Sequence, residues 1–339
     1  MSTPETTPER IGEFSRATTL RLAFGLIAFV VLANLILLAL LTWRPVNRGT
    51  WLVREKWELL DRTEPVETLL LGDSSCNQGI RPDVLDAKLA TRSLNLCTVG
   101  NALVLNDAWM LGEYIARHGA PRRVVIVHVT NAWSRELDYS SLHLLAKIPR
   151  GLGFWRELDP SLELSTSEIE DVISSRYLPL HSESTSVLTW LTSPREAMAT
   201  RFTLERGGFM LVPDANPKRV AASKRGYLRE LRAIKQPLSA INHRALLAID
   251  GLARRHGFPV VILPSPYFTE LWLEPDMQRH LATLRDKLHR TVGPGSPVRV
   301  VDGPPLTFPA DQMENADHVV GDAARVYSEW IAEQLRAEN

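Results

Sequence analysis

The sequence predicts an α/β fold: a doubly wound, flavodoxin-like five-stranded parallel sheet in three α/β/α layers. One N-terminal transmembrane helix precedes it, and a partly helical insertion follows strand 3. Three observations carry this expectation. Short apolar runs alternate with helix-period segments, the pattern of strands covered by helices on both faces. A run of 22 residues without charge, 22–43, stands near the start. The stretch 132–240 then breaks the alternation.

In chain order, residues 1–19 are polar and read as a disordered leader, and 20–43 as a transmembrane helix. At about 1.5 Å per residue the apolar run reaches roughly 33 Å, enough for a bilayer core. Asn34 is its single strongly polar member. Trp43 and Arg44 suit the interface, and Pro45 stops the helix. A soluble helix would show a polar face, and a cleaved signal has an apolar core of only about 7–15 residues. Arg10, Arg16 and Arg21 before the run nearly balance Arg44, Arg48, Arg54 and Lys56 after it, so charge does not orient it.

Residues 44–64 form a connecting segment whose helix carries Trp51, Trp57 and Leu60 on an apolar face. The first part of the sheet domain, 65–131, holds strands at 66–72, 92–97 and 122–130. Helices at 82–90 and 104–118 separate them, the second closed by Gly119 and Pro121. The insertion, 132–240, is rich in Ser, Thr, Leu and Arg, and is expected to cover the strand-end face as a lid or partner surface. The second part, 241–339, has helices at 241–256, 277–291 and 322–336 around strands at 259–263 and 297–301. In such sheets ligands bind beyond the carboxyl ends of the strands.

Charge and cysteine counts exclude several functions. Lys+Arg and Asp+Glu both number 39, without the basic excess of a nucleic-acid binder. Two cysteines exclude a disulfide-dense scaffold and a four-cysteine zinc site. The nine histidines show no HExxH spacing, so no metal is expected, and no motif calls for a cofactor.

Four positions can carry chemistry. Ser74 ends the Gly72-Asp73-Ser74 turn after strand 1, where a hydroxyl is exposed and backbone N–H groups can meet an oxyanion. The bland alternative is a plain tight turn. His318 follows the last strand on the same rim and is suited to general-base work, although a lone histidine is more often a surface or capping residue. Gly100 after strand 2 and Asn131 after strand 3 can both donate to a developing oxyanion, and losing one such donor typically costs roughly 3 kcal/mol. Each alone is a common loop residue. Ser75 is a weaker rival nucleophile. Cys76 and Cys97 suit packed core sites, with a disulfide between neighbouring strands as the second possibility and a catalytic thiol as the third.

The order Ser74, Gly100, Asn131, His318 resembles the SGNH/GDSL hydrolase superfamily. More narrowly, the chain is similar to its membrane-anchored bacterial envelope branch, which includes the teichoic-acid D-alanylation and alginate O-acetylation proteins. The similarity runs through the anchor, the LLLGDSS strand, the NLCTVG stretch, the RRVVIVHV strand, the ARRHGFPVVILPSPYF segment and the ADHVVGDAARVYS ending, covering about 66–131 and 241–335.

The resemblance implies that Ser74 is the nucleophile and His318 the base. It also implies an oxyanion hole of the Ser74 N–H, the Gly100 N–H and the Asn131 side chain. The family places an aspartate three residues before the histidine, and here that position is Asn315, with Asp317 and Asp311 as nearby carboxylates. The family's Gly-X-Asn-Asp motif is reduced to Thr130-Asn131-Ala132. A working Ser–His dyad and a domain of weakened activity both fit these departures.

Two functions follow as expectations. The first is an enzyme anchored in the inner membrane with its domain on the periplasmic or extracellular side. It would hydrolyse or transfer acyl groups, most simply acetyl, on a cell-envelope polysaccharide or polymer. The second is a non-catalytic module that binds such a polymer or a multi-pass membrane acyltransferase, with Trp133, Trp155 and Trp190 available for sugar stacking. Core packing is the preferred reading of those tryptophans.

Overall fold

A computed structural model describes residues 16–158, 160–212 and 214–336. It begins with α1 (Arg16–Trp43), which is apolar on all sides from Leu22 onward and holds an 18-residue stretch of mean hydropathy 2.8. Residues 1–15 of the expected leader lie outside the described residues, and residues 16–19 already belong to α1. After Pro45 the chain enters α2 (Arg48–Arg62), whose first turn is capped by Asn47: its side chain accepts from the Gly49 and Thr50 N–H groups. The inner face of α2 buries Val53, Trp57 and Leu60. Its fully buried Lys56 donates to the carbonyls of Asn95 and Gly208 at 2.7 and 2.6 Å, joining α2 to the sheet and to the insertion. Burial pulls this ammonium well below its ordinary pKa.

The sheet contains β1 (Thr68–Gly72), β2 (Ser93–Asn95), β3 (Arg123–His128), β4 (Val260–Pro264) and, further along, β6 (Val298–Val300). Between β1 and β2 lie α3 (Ser74–Gly79) and α4 (Pro82–Leu89), and α5 (Leu103–His118) leads to β3. All strand pairs are parallel, in the order β2-β1-β3-β4-β6. This is the doubly wound arrangement the apolar runs predict. Alternation along the strands fills two cores. Leu69, Leu71, Val124 and Ile126 face the layer of α2, α5 and α13 (Ala240–His256). Leu70, Val125 and Val127 face the layer of α4, α12 (Pro217–Ala233) and α16 (Asp322–Arg336).

The insertion is mostly helical, as expected. It runs through α6 (Tyr139–Leu145), α7 (Phe154–Leu158), α8 (Thr166–Tyr177), α9 (Pro179–Ser182), α10 (Ser184–Thr192) and α11 (Pro194–Ala199) before α12. Helices α8 and α9 lie against α1, while α12 returns to the sheet domain. Trp133 and Trp155 are buried, Trp155 stacked on Trp109 at 5.6 Å, so neither offers a face to a sugar; Trp190 is half-buried.

Small elements absent from the sequence reading close the domain. These are β5 (Tyr267–Phe268), α14 (Thr269–Trp272) and β7 (Thr307–Phe308) paired with β5; between them α15 (Pro275–Val292) is the predicted 277–291 helix, slightly extended. An antiparallel hairpin of β8 (Met313–Asn315) and β9 (His318–Val319) follows. Its residues read as a loop because two- and three-residue strands are too short to show a period.

Candidate active site

Strand β1 delivers Gly72-Asp73-Ser74 to the carboxyl rim. Gly72 has φ of 140°, and a Cβ there would overlap the Val127 carbonyl, so only glycine lets β1 turn this close to β3. The Gly72 carbonyl accepts from the Thr98 N–H at 2.8 Å, while the Asp73 N–H donates to the Val127 carbonyl at 3.1 Å. The turn is therefore held between the loops after β2 and β3. Asp73 caps α3: one carboxylate oxygen accepts from the Ser75 N–H and hydroxyl at 2.9 and 2.7 Å. The other accepts from the Val129 N–H at 2.7 Å, two residues before Asn131.

Residues 73 and 75–80 are buried, whereas Ser74 keeps partial exposure. Ser75 spends its hydroxyl on Asp73, which removes it as a rival nucleophile. Cys76 and Cys97 form a disulfide with Cα atoms 5.8 Å apart, tying α3 to the end of β2. The preference for two separate core thiols is thus corrected. Parallel neighbours in register bring the two strand ends together, a proximity that sequence spacing does not express.

The β8–β9 hairpin brings His318 to Ser74. The hairpin packs on α3 and is braced by α12: the Ala316 N–H donates to Ser223 Oγ at 2.8 Å, and the Asn216 N–H to the Met313 carbonyl at 2.9 Å. His318 Nε2 lies 2.7 Å from Ser74 Oγ. On the far side of the ring, Nδ1 lies 2.5 Å from Asp317 Oδ1 and 2.9 Å from Asn315 Oδ1. Asn315 Oδ1 also accepts from the Asp317 N–H at 3.0 Å, which fixes its orientation. Two acceptors at Nδ1 place the ring proton there and leave the Nε2 lone pair for the Ser74 hydroxyl. Burial pulls the His318 pKa down, but the Asp317 charge and hydrogen bond, with Asp73 and Glu314 behind them, outweigh it and raise it above the ordinary imidazole value. Asp311 is exposed in the turn before β8.

The two expected oxyanion donors occupy the flanking loops. Gly100 opens the turn after β2, covered by the Arg135 guanidinium: an added Cβ would sit 2.5 Å from Arg135 Nη1. Arg135 is held by Asn101 Oδ1 at 2.8 Å. Three residues past Gly100, Leu103 has φ 63° and ψ 169°, a region normally left to glycine that costs on the order of 1–3 kcal/mol. Asn131 sits in the turn after β3, buried, and its Oδ1 has no hydrogen-bond partner among the described residues.

Behind the serine turn lies a second charged cluster that sequence reading missed. His128, the last residue of β3, places Nε2 2.5 Å from Asp107 of α5 and Nδ1 3.6 Å from Asp73. All three are buried. Burial opposes the imidazolium, but the two carboxylates outweigh it and lift His128 to about 9. Asp73 is held well below the usual carboxylate range: burial raises it, and His128, Ser75 and the Val129 N–H more than compensate. Burial raises Asp107. The available signal was polarity out of place, a histidine ending an apolar strand and an aspartate in a helix otherwise rich in core residues.

Glu314 completes the rim. It accepts from Gln78 at 2.9 Å and Arg219 at 2.8 Å, and Arg48 stands 3.9 Å away. Burial raises its pKa, and the Gln78 hydrogen bond, with the His318, Arg48 and Arg219 charges, overcomes this and lowers it.

Comparison with protein-family models and with curated proteins finds no match for this chain. Fold and geometry therefore support a coarse statement. The chain is an α/β/α protein with one N-terminal membrane helix and a hydrogen-bonded serine–histidine pair at the carboxyl rim of its parallel sheet.

Proposed function

We propose that this chain is a membrane-anchored serine esterase or O-acyltransferase of the SGNH/GDSL kind, acting on acyl esters of a cell-envelope polymer. The observation that carries this reading is the 2.7 Å Ser74–His318 hydrogen bond with Nδ1 held on the opposite side by a carboxylate. In this mechanism Ser74 Oγ attacks the acyl carbonyl as its proton passes to His318 Nε2. The oxyanion is met by the Ser74 and Gly100 N–H groups and the Asn131 side-chain amide. His318 returns the proton to the departing oxygen, leaving an acyl-serine. Water or a sugar hydroxyl, deprotonated by the same imidazole, then takes the acyl group and frees Ser74.

Asp317 acts as the third member, stabilising the imidazolium that forms in each half-reaction, while Asn315 orients the ring. The Cys76–Cys97 disulfide favours an oxidising compartment and hence a domain outside the cytoplasm. A membrane-bound acyl donor or acyltransferase partner is favoured by the place of the site. Glu314, four residues from His318, stands 3.9 Å from Arg48, which lies five residues past the end of α1.

The test is turnover of an activated acetyl ester by the full-length protein in detergent, against Ser74→Ala. We expect a loss on the order of 10³-fold or more with the fold intact. Equal turnover by both would sink the proposal.

A further inference from the structure

The one strongly polar side chain in the apolar run 22–43 has a partner far along the chain. Asn34 is buried, donates Nδ2 to the Val30 carbonyl at 2.8 Å, and accepts at Oδ1 from the Leu180 N–H at 3.1 Å. Leu180 is the second residue of α9, where a helix N–H has no partner of its own. A segment of the insertion is thereby pinned to the side of α1.

The depth of that contact follows from helix geometry. Asn34 lies nine residues before Trp43, about 13–14 Å down the axis. Were the helix above Asn34 outside the membrane, only the apolar residues 22–33 would remain. They span roughly 18 Å against a hydrocarbon core of about 30 Å. The anchor spans the bilayer only if Asn34, and α9 upon it, lie within lipid.

The surface of this segment suits lipid. Tyr177, Leu178, Leu180, Leu188 and Leu191 are exposed, Leu191 to 75%. Residues 184–193 carry no charge. Two of its charged groups turn inward: Arg176 donates to the Ala146, Ile148 and Arg150 carbonyls, and buried Glu183 pairs with Lys147 at 2.8 Å, while His181 and, past the segment, Arg195 and Glu196 are exposed. Contiguous apolar surface of this kind marks a membrane or partner contact. Its continuity with a membrane-spanning helix selects the membrane.

We propose that residues 177–191 form a second membrane-embedded element, seated in the acyl-chain region of the leaflet next to the globular domain and docked on α1 through Asn34. The domain is then held at two points rather than swinging on one tether.

The test uses the full chain in phosphatidylcholine–phosphatidylglycerol vesicles. Leu191→Cys carries an environment-sensitive fluorophore, with Leu178→Cys as a second position. Arg255→Cys is the aqueous control, exposed near the end of α13 just before the start of β4, toward the amino ends of the strands and so opposite the carboxyl rim. The native cysteines are paired and do not compete for label. We expect nitroxides on the lipid chains to quench the labels at 191 and 178 several-fold more than the label at 255, and iodide to do the reverse. Iodide quenching at 191 and 178 equal to that at 255 would overturn the proposal. Protection from both quenchers would overturn it too, by placing a second copy of the chain over this surface.

Discussion

Two imidazole–carboxylate clusters stand one behind the other at the carboxyl rim, and they differ in what lies at the far end of the ring. His318 bridges Asp317 and the hydroxyl of Ser74, a neutral group that retains partial exposure. His128 bridges Asp107 and Asp73, with carboxylates on both sides and every member buried. Opposite charges on both sides lock a proton onto His128, which suits a fixed strut between β1, β3 and α5. A single carboxylate and a hydroxyl leave His318 able to accept and return a proton. Imidazole beside carboxylate is thus insufficient to mark an acid–base site; the third partner and its access to solvent decide.

The largest test of this contrast is at Asp317. Asp317→Asn should reduce turnover about 10²- to 10⁴-fold with little loss of stability, since the imidazolium loses its counter-charge. Asn315→Ala should cost less than about tenfold, because a neutral amide only orients the ring. Steady-state kinetics of the two variants separate these outcomes, and the reverse ranking would make Asn315 the third member.

His128→Gln should act on folding instead, destabilising by about 3–5 kcal/mol as two buried carboxylates lose their shared cation. Denaturant unfolding measures it. Unchanged stability with lost activity would move His128 into the chemistry. Cys76→Ser bears on the serine side of the comparison, because the disulfide closes a 21-residue separation beside α3. Loss of that cross-link should cost about 3 kcal/mol, read as a lower denaturant midpoint that reductant reproduces in the native protein.

The smallest effects lie along the pH axis, and the two histidines give different profiles. Base catalysis needs neutral His318, whose pKa is raised, so kcat/KM should climb with pH through a midpoint above the ordinary imidazole value of about 6.5. In Asp317→Asn that midpoint should move down. For stability, His128 is raised from 6.5 to about 9 in the folded protein. Its contribution is present in full below the unfolded value and is lost as pH rises through the folded one. Thermal midpoints should therefore fall between these two pH values, and His128→Gln should flatten that decline.

Much of this arrangement was legible from local chemistry. Ser74 showed itself because Gly-Asp-Ser after an apolar strand is a turn with an exposed hydroxyl, and His318 because the doubly wound order returns the chain to the same rim. The identity of the third member was not legible. Spacing pointed to Asn315, but the side chain of the residue adjacent to His318 reaches the ring only because the β8–β9 turn folds it back. Asp107 and His128 were hidden because polar residues at core positions resemble solvent-facing ones until the packing is known. Asp73 passed as a turn residue, although it joins the Ser74 turn to the loop that carries Asn131.

The amino-acid sequence alone determined the anchor, the succession of strands and helices and the positions of the serine and histidine in turns after strands, because apolar periodicity and turn chemistry are local properties. Tertiary structure alone decided which carboxylate holds the imidazole, that Cys76 meets Cys97, and that the insertion docks on Asn34 of the anchor. Each of these depends on the distance between residues far apart in the chain or on a turn only two residues long, and hydrophobic patterning encodes neither.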